Sequence, residues 1–219
     1  MKFKAVIFDL DGTLIDSMGI WTQVDVEFLQ RRNISVPDDL FKDMKEGNSF
    51  IEVAEYFIRK FDLPDSPREI MDEWTEMVAE HYRKDVKLKH GAKEFLDFLK
   101  QNKIKMGIGT SNNEYLTRIV LEANGISEYF ESIVIGKEEI KGKPFPDIFL
   151  KAAAELDVEP NDCLVIEDVL VGVQAAKNAG MTVYAIYDEF SEPDKNEIKR
   201  IADRYVGNFN QIWKQGIYS

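Results

Sequence analysis

The chain has one cysteine, two histidines and no apolar run approaching the ~20 residues of a membrane span. A lone thiol excludes an internal disulfide framework and suits a reducing compartment. Cys163, set in Cys163-Leu164-Val165-Ile166, has the neighbours of a buried strand residue rather than of a nucleophile. Asp9 and Asp11 interrupt the only apolar segment near the N-terminus, so no signal-peptide pattern forms there, and a cytoplasmic protein is expected. His81 and His90 have no partners at metal-ligand spacing and read as structural. Positive charge is also short. Lys and Arg number 28 against 40 Asp and Glu, a net charge of −12, which argues against nucleic acid or an anionic membrane as partner. If the substrate is itself an anion, something local must overcome a repulsive field.

What is present suffices for a sizeable core. At 219 residues and 44% hydrophobic content, the chain can build one α/β domain, or a domain with an insertion. Ala5-Val6-Ile7-Phe8 reads as a buried strand that ends in Asp9-Leu10-Asp11-Gly12-Thr13. From about Ser17 the pattern is helical, with Trp21, Val24 and Phe28 spaced three and four apart. A second helix is predicted from Asn48 to Phe61. A third opens at Ser66-Pro67-Arg68-Glu69, a capping box with proline at the first helical position. No strand signal falls between residues 16 and 86, too long a helical stretch for a simple crossover, so an inserted all-helical domain over residues 16–87 is expected. From His90 helix and strand alternate: strands at 104–110, 133–135, 164–166 and 183–187, with helices from about Asn112 to Gly125, Pro146 to Leu156 and Val169 to Ala179. A weaker tail holds a helix near Ile198, a short strand at Tyr205-Val206 and a helix around Ile212. The fold class is α/β, a doubly wound parallel sheet built from residues 1–15 and 88–219.

In such a sheet, ligands bind outside the carboxyl ends of the strands. Polar residues stand there in four places: Asp9 and Asp11; Thr110-Ser111-Asn112; Lys143, displaced into the loop after Ile135; and Glu167-Asp168. Each has a plainer explanation. Ser111 with Glu114 forms a capping-box pattern, Lys143 alone is an ordinary surface lysine, and Asp168 could be the N-cap of the next helix. Their convergence on one edge outweighs those readings. Asp9, Asp11 and Asp168 packed together would repel by several kcal/mol per close pair at an effective dielectric of ~20, which a divalent cation would relieve. An all-oxygen donor set selects a hard ion, Mg²⁺ rather than Zn²⁺. Lys143 and a helix N-terminus would let the site accept a phosphate dianion.

Asp9-Leu10-Asp11-Gly12-Thr13, Thr110-Ser111-Asn112, Lys143-Pro144, and Glu167-Asp168 followed by Gly172 resemble the four motifs of the haloacid dehalogenase superfamily. The match is to its β-phosphoglucomutase-like phosphatases, whose helical cap is inserted after the first motif, and it covers essentially the whole chain. The resemblance implies a Rossmann-like core and a phosphatase with Asp9 as nucleophile, forming an aspartyl-phosphate, and Asp11 as general acid and then base. It further implies that Thr110, Ser111 and Asn112 bind phosphate and that Lys143 neutralises charge. Mg²⁺ would be held by Asp9, Asp11 through its backbone carbonyl, and Asp168, with Glu167 nearby; Gly12 and Thr13 orient the loop.

Asp11 argues against dehalogenase chemistry, and no cap lysine marks a phosphonatase. A phosphomutase resembling β-phosphoglucomutase is the nearer rival. Trp21 occupies the position where that mutase has a His, and Glu46-Gly47-Asn48-Ser49-Phe50 carries no arginine. Hydrolysis is therefore favoured. A non-enzymatic phosphoacceptor module is a third reading, opposed by the second acid, which can activate water. Trp21, Glu46, Gly47 and Asn48 are candidate selectivity residues of the cap, with Trp21 and Trp74 read first as cap core. The expected partner is a small phosphorylated metabolite, a sugar or polyol phosphate, bound by a monomer.

Overall fold

The computed structural model describes residues 3–37, 40, 50–136 and 140–214, with residues 213 and 214 described by backbone alone. Glu46, Gly47 and Asn48 lie outside the described residues. In chain order the elements are β1 (Ala5–Phe8); α1 (Met18–Arg31), α2 (Phe50–Phe61) and α3 (Pro67–Lys84); α4 (Ala92–Gln101), β2 (Lys105–Thr110), α5 (Glu114–Ala123) and β3 (Ser132–Ile135). There follow α6 (Asp147–Glu155), β4 (Cys163–Glu167), α7 (Leu170–Asn178), β5 (Thr182–Ile186), α8 (Lys195–Ile201), β6 (Arg204–Val206) and α9 (Phe209–Lys214). Two compact units result: Met1–Met18 with Val86–Ser219, and Gly19–Asp85.

In the first unit the described strands form one sheet in the order β3-β2-β1-β4-β5-β6, all pairs parallel. The order reverses beside β1, which pairs with both β2 and β4, and this is the switch point where a doubly wound sheet opens a crevice. Side chains alternate across β1 because the strand period is two. Ala5 and Ile7 join Val165, Val173, Phe149 and Ala152 on one face. On the other, Phe8 meets Phe95, Phe130 and Phe209 with ring centroids 6.0–6.2 Å apart. Burial on both faces is why these strands are continuous apolar runs. Cys163 is buried within β4, where burial pushes its thiol up to about 11. The chain leaves and re-enters this unit through two short paired segments: Asp16 N–H donates to Lys87 O (2.9 Å) and Lys89 N–H to Leu14 O (3.0 Å).

The second unit is built around aromatics. Trp74 of α3 is 1% exposed and packs edge-on against Phe28 of α1 (5.3 Å) and Phe57 of α2 (4.9 Å). Trp74 is core, whereas Trp21 is half-buried and rests edge-on against Phe50 at 5.6 Å. The capping box at the start of α3 forms: Ser66 Oγ accepts from Glu69 N–H, and Ser66 N–H donates to Glu69 Oε2. Arg32 joins Asp65 and Glu73 and lies 3.8 Å from the Phe28 ring centroid. His81 sits between Asp85 (2.7 Å) and Glu27 (3.2 Å); burial would lower its pKa, but these two carboxylates outweigh burial and raise it.

Two capping expectations are corrected. Helix α5 starts at Glu114, and Asn113, not Ser111, caps it by accepting from Leu116 N–H at 2.9 Å. Residues 110–112 are held in a turn, with Asn112 N–H donating to Thr110 Oγ1, so the helix begins after them. Helix α7 has Val169 at its N-cap with no side-chain bond, because the Asp168 carboxylate is engaged elsewhere.

Candidate active site

Asp9 leaves β1 at the switch point. Its N–H donates to Ile166 O of β4 (3.0 Å), so the ladder holds the Asp9 backbone to the end of β1 and leaves the carboxylate beyond the sheet. The chain then turns tightly, with Leu14 and Ile15 N–H groups both donating to Leu10 O. Gly12 lies in this turn at φ +79°, and a Cβ there would come 2.4 Å from Asp168 Oδ2. Only glycine permits both the left-handed backbone and that approach. The buried Thr13 hydroxyl donates to Asp168 Oδ1 at 2.6 Å, joining the first and fourth motifs.

Lys143 reaches the same place from the loop after β3. Its ammonium donates to Asp9 Oδ1 (2.5 Å) and Glu167 Oε1 (2.6 Å), and its side chain is only 6% exposed. Glu167, fully buried, uses its other oxygen to accept from the N–H groups of Asp168 (2.8 Å) and Val169 (3.0 Å). Gly172 makes room for it: a Cβ there would lie 1.7 Å from Glu167 Oε1. Glu167 therefore clamps Lys143 while fixing the loop that carries Asp168.

Asp9, Glu167 and Asp168 each offer an oxygen within 4.8 Å of the others. Like charges at that spacing repel by about 3–4 kcal/mol per pair at an effective dielectric of ~20. Burial, with Lys143 opposing and Glu167 and Asp11 adding, pushes the Asp9 carboxyl up to about 8. Asp168 is likewise raised well above the carboxylate range, by burial first and then by Glu167 and Asp9. Burial alone would lower the Lys143 ammonium, but Asp9 and Glu167 outweigh it and hold the proton on. Among the described residues, one ammonium faces three acids. Asp168 Oδ2, moreover, is buried and has no hydrogen-bond partner among the described residues. A buried acceptor left unpaired is costly, and a hard cation beside Asp9 and Asp168 would satisfy it. The donor set fits Mg²⁺.

Asp11 stands apart from this trio. Its carboxylate accepts from Ser17 Oγ (2.7 Å) and Asn112 Nδ2 (2.9 Å), so Asn112 ties the β2 loop to the β1 loop. Thr110 is buried at the end of β2 and Ser111 is exposed beside it. The structure thus brings Asp9, Thr13, Lys143, Glu167 and Asp168 into direct contact and links Asp11 to Asn112. Sequence reasoning read Ser17 as a helix start and missed it as a partner of Asp11.

A family description, haloacid dehalogenase-like hydrolase, matches residues 6–186. The chain is 31% identical over 212 residues to a bifunctional riboflavin kinase/FMN phosphatase of Arabidopsis thaliana, covering 95% of its own length and 54% of that protein. To a protein of Drosophila melanogaster named a probable pseudouridine-5′-phosphatase it is 31% identical over 193 residues, 85% of this chain and 83% of that one. Among solved structures, a candidate β-phosphoglucomutase from Thermotoga maritima superposes with a TM-score of 0.82 at 26% identity, over 93% of this chain and 94% of the other. With its motifs assembled on a six-stranded parallel sheet, and a match running across most of its length, the protein belongs to the haloacid dehalogenase-like hydrolases.

Proposed function

We propose that the protein is a Mg²⁺-dependent phosphatase that hydrolyses a primary phosphate ester of a small sugar or polyol through an aspartyl-phosphate on Asp9. The observation that carries this reading is the grip of Lys143 on Asp9 beside the buried Asp168 Oδ2, which has no hydrogen-bond partner among the described residues. It supplies a positioned carboxylate nucleophile, a fixed positive charge and a place for a hard cation.

An Asp9 oxygen attacks phosphorus and forms the new P–O bond as the ester P–O bond breaks, while Asp11 gives a proton to the departing alkoxide. Asp11, now a carboxylate, takes a proton from water as that water attacks phosphorus and the bond to Asp9 breaks. Asp9 and Asp168 would hold the cation with side-chain oxygens and Asp11 with its carbonyl; bound there, it would neutralise charge on the phosphoryl oxygens and keep Asp9 ionised. Lys143 keeps its proton and offsets charge on Asp9 and on the transferring group. Glu167 holds Lys143 with one oxygen and the amides of Asp168 and Val169 with the other. Thr110 and the Ser111 amide lie on the loop that would receive the phosphoryl oxygens. Ser17 and Asn112 hold the Asp11 carboxylate in place.

The relatives support this class of substrate, because FMN and pseudouridine 5′-phosphate are both monoesters on a ribityl or ribose carbon. The likeness to a mutase structure keeps phosphoryl transfer between sugar hydroxyls as the second reading. One assay separates them. With a panel of sugar and polyol phosphates, a phosphatase releases inorganic phosphate and a mutase converts a sugar 1-phosphate to its isomer without release. Chelation of Mg²⁺ is expected to abolish turnover, and Asp9→Asn to reduce it by at least about 10³-fold. Undiminished turnover in Asp9→Asn would remove the aspartyl-phosphate from consideration.

A further inference from the structure

The segment that returns from the helical unit carries an ion pair that the four motifs do not include. Lys89 Nζ donates to Asp188 Oδ2 (2.5 Å) and to Tyr187 O (3.3 Å), with side chains 14% and 3% exposed. Asp188 follows β5, the neighbour of β4, and its other oxygen accepts from Phe190 N–H at 2.9 Å. Through its backbone Lys89 also holds the first motif's turn, donating to Leu14 O at 3.0 Å. The parallel register sets Glu167 beside Ala185, so Asp188 leaves β5 at the same carboxyl edge of the sheet as Asp168, one strand away. Asp9, Glu167 and Asp168 already crowd one ammonium, so an uncovered Asp188 would be a fourth negative charge at the site's border.

We propose that Lys89 is a positioning residue that masks Asp188 and thereby sets the balance between cation and phosphate affinity at the site. The inference rests on the metal-dependent reading given above. The two ligands have opposite charge, so the effect of unmasking has opposite signs for them. Without Lys89 the site attracts a divalent cation more strongly and repels a phosphate dianion more strongly. Loss of a merely structural contact would weaken both, because both need the same assembled loops.

The test uses the full chain and measures binding rather than turnover, by calorimetric titration with Mg²⁺ alone and then with inorganic phosphate at saturating Mg²⁺. Lys89→Met is expected to tighten Mg²⁺ and weaken phosphate, each by about 3- to 10-fold. Lys89→Arg should stay near wild type, and Lys89→Met combined with Asp188→Asn should return both constants toward it. Asp188→Asn alone leaves the lysine uncovered and is expected to weaken Mg²⁺ and tighten phosphate. That variant keeps the test available if Lys89→Met, with its buried unpaired acid, fails to fold. Parallel weakening, no shift in either constant, or no recovery in the double variant would overturn the inference while leaving the site's assignment intact. Wild-type protein that binds neither Mg²⁺ nor phosphate would instead overturn the assignment, and the inference with it.

Discussion

Glycine at two positions decides whether the acidic residues can take up their arrangement. Gly12 stands against Asp168 and Gly172 against Glu167, each so close that a methyl group would overlap a carboxylate oxygen. Gly172 has no unusual backbone requirement, so Gly172→Ala isolates the steric effect. Glu167 must then move, releasing Lys143 and the amides of Asp168 and Val169 together. A loss of about 1–3 kcal/mol in chemical denaturation is expected, with kcat down by about 10²-fold or more because Lys143 is no longer aimed at Asp9. A variant with wild-type stability and kcat would show that Glu167 is not the clamp. The identities of these residues were legible in the motifs. Their division of labour was not: Glu167 and Asp168 are adjacent, yet one binds a lysine and two amides while the other keeps an oxygen with no hydrogen-bond partner among the described residues.

Helices in this chain announce themselves with different clarity, according to how local their determinants are. The capping box of α3 is a contact between residues three apart, so four letters were enough to place it. Ser66→Ala is expected to cost about 0.5–2 kcal/mol, measured by thermal or denaturant unfolding. The same pattern at Ser111 and Glu114 misled, because Asn112 is drawn to Asp11, 101 residues away in sequence, and the helix starts beyond it. Helix α1 holds a second test of local electrostatics. Burial pushes Asp25 up to about 7 from an ordinary 3.8. The folded protein therefore binds a proton that the unfolded chain has lost between those two values, and stability falls as pH rises through that window. Asp25→Asn should raise the melting temperature at pH 8 and leave it nearly unchanged at pH 4. An equal shift at both pH values would assign the effect to packing instead of charge.

For the molecule as a whole, a net charge of −12 opposes the approach of an anionic ester, while Lys143 and a bound cation act only at short range. Added salt screens the long-range term first, the screening length falling from ~30 Å at 0.01 M to ~8 Å at 0.15 M. Over that range KM for a phosphate ester should fall with kcat steady; a rising KM would mean that local positive charge governs the encounter. The α/β class, the run of helices between β1 and β2 and the strand that ends in Asp9 were all legible in the sequence, as were the residue types of the candidate site. Those depend on the two- and 3.6-residue periods and on short motifs, all local properties of the chain. Folding alone brings Lys143 to Asp9 and Glu167, Thr13 to Asp168, Ser17 and Asn112 to Asp11, and Lys89 to Asp188. These contacts mostly join residues far apart in the chain, brought within hydrogen-bond reach by the parallel stacking of β2, β1, β4 and β5. Hydrophobic period sets where a strand runs, but the partner of a polar side chain depends on which strand lies beside it.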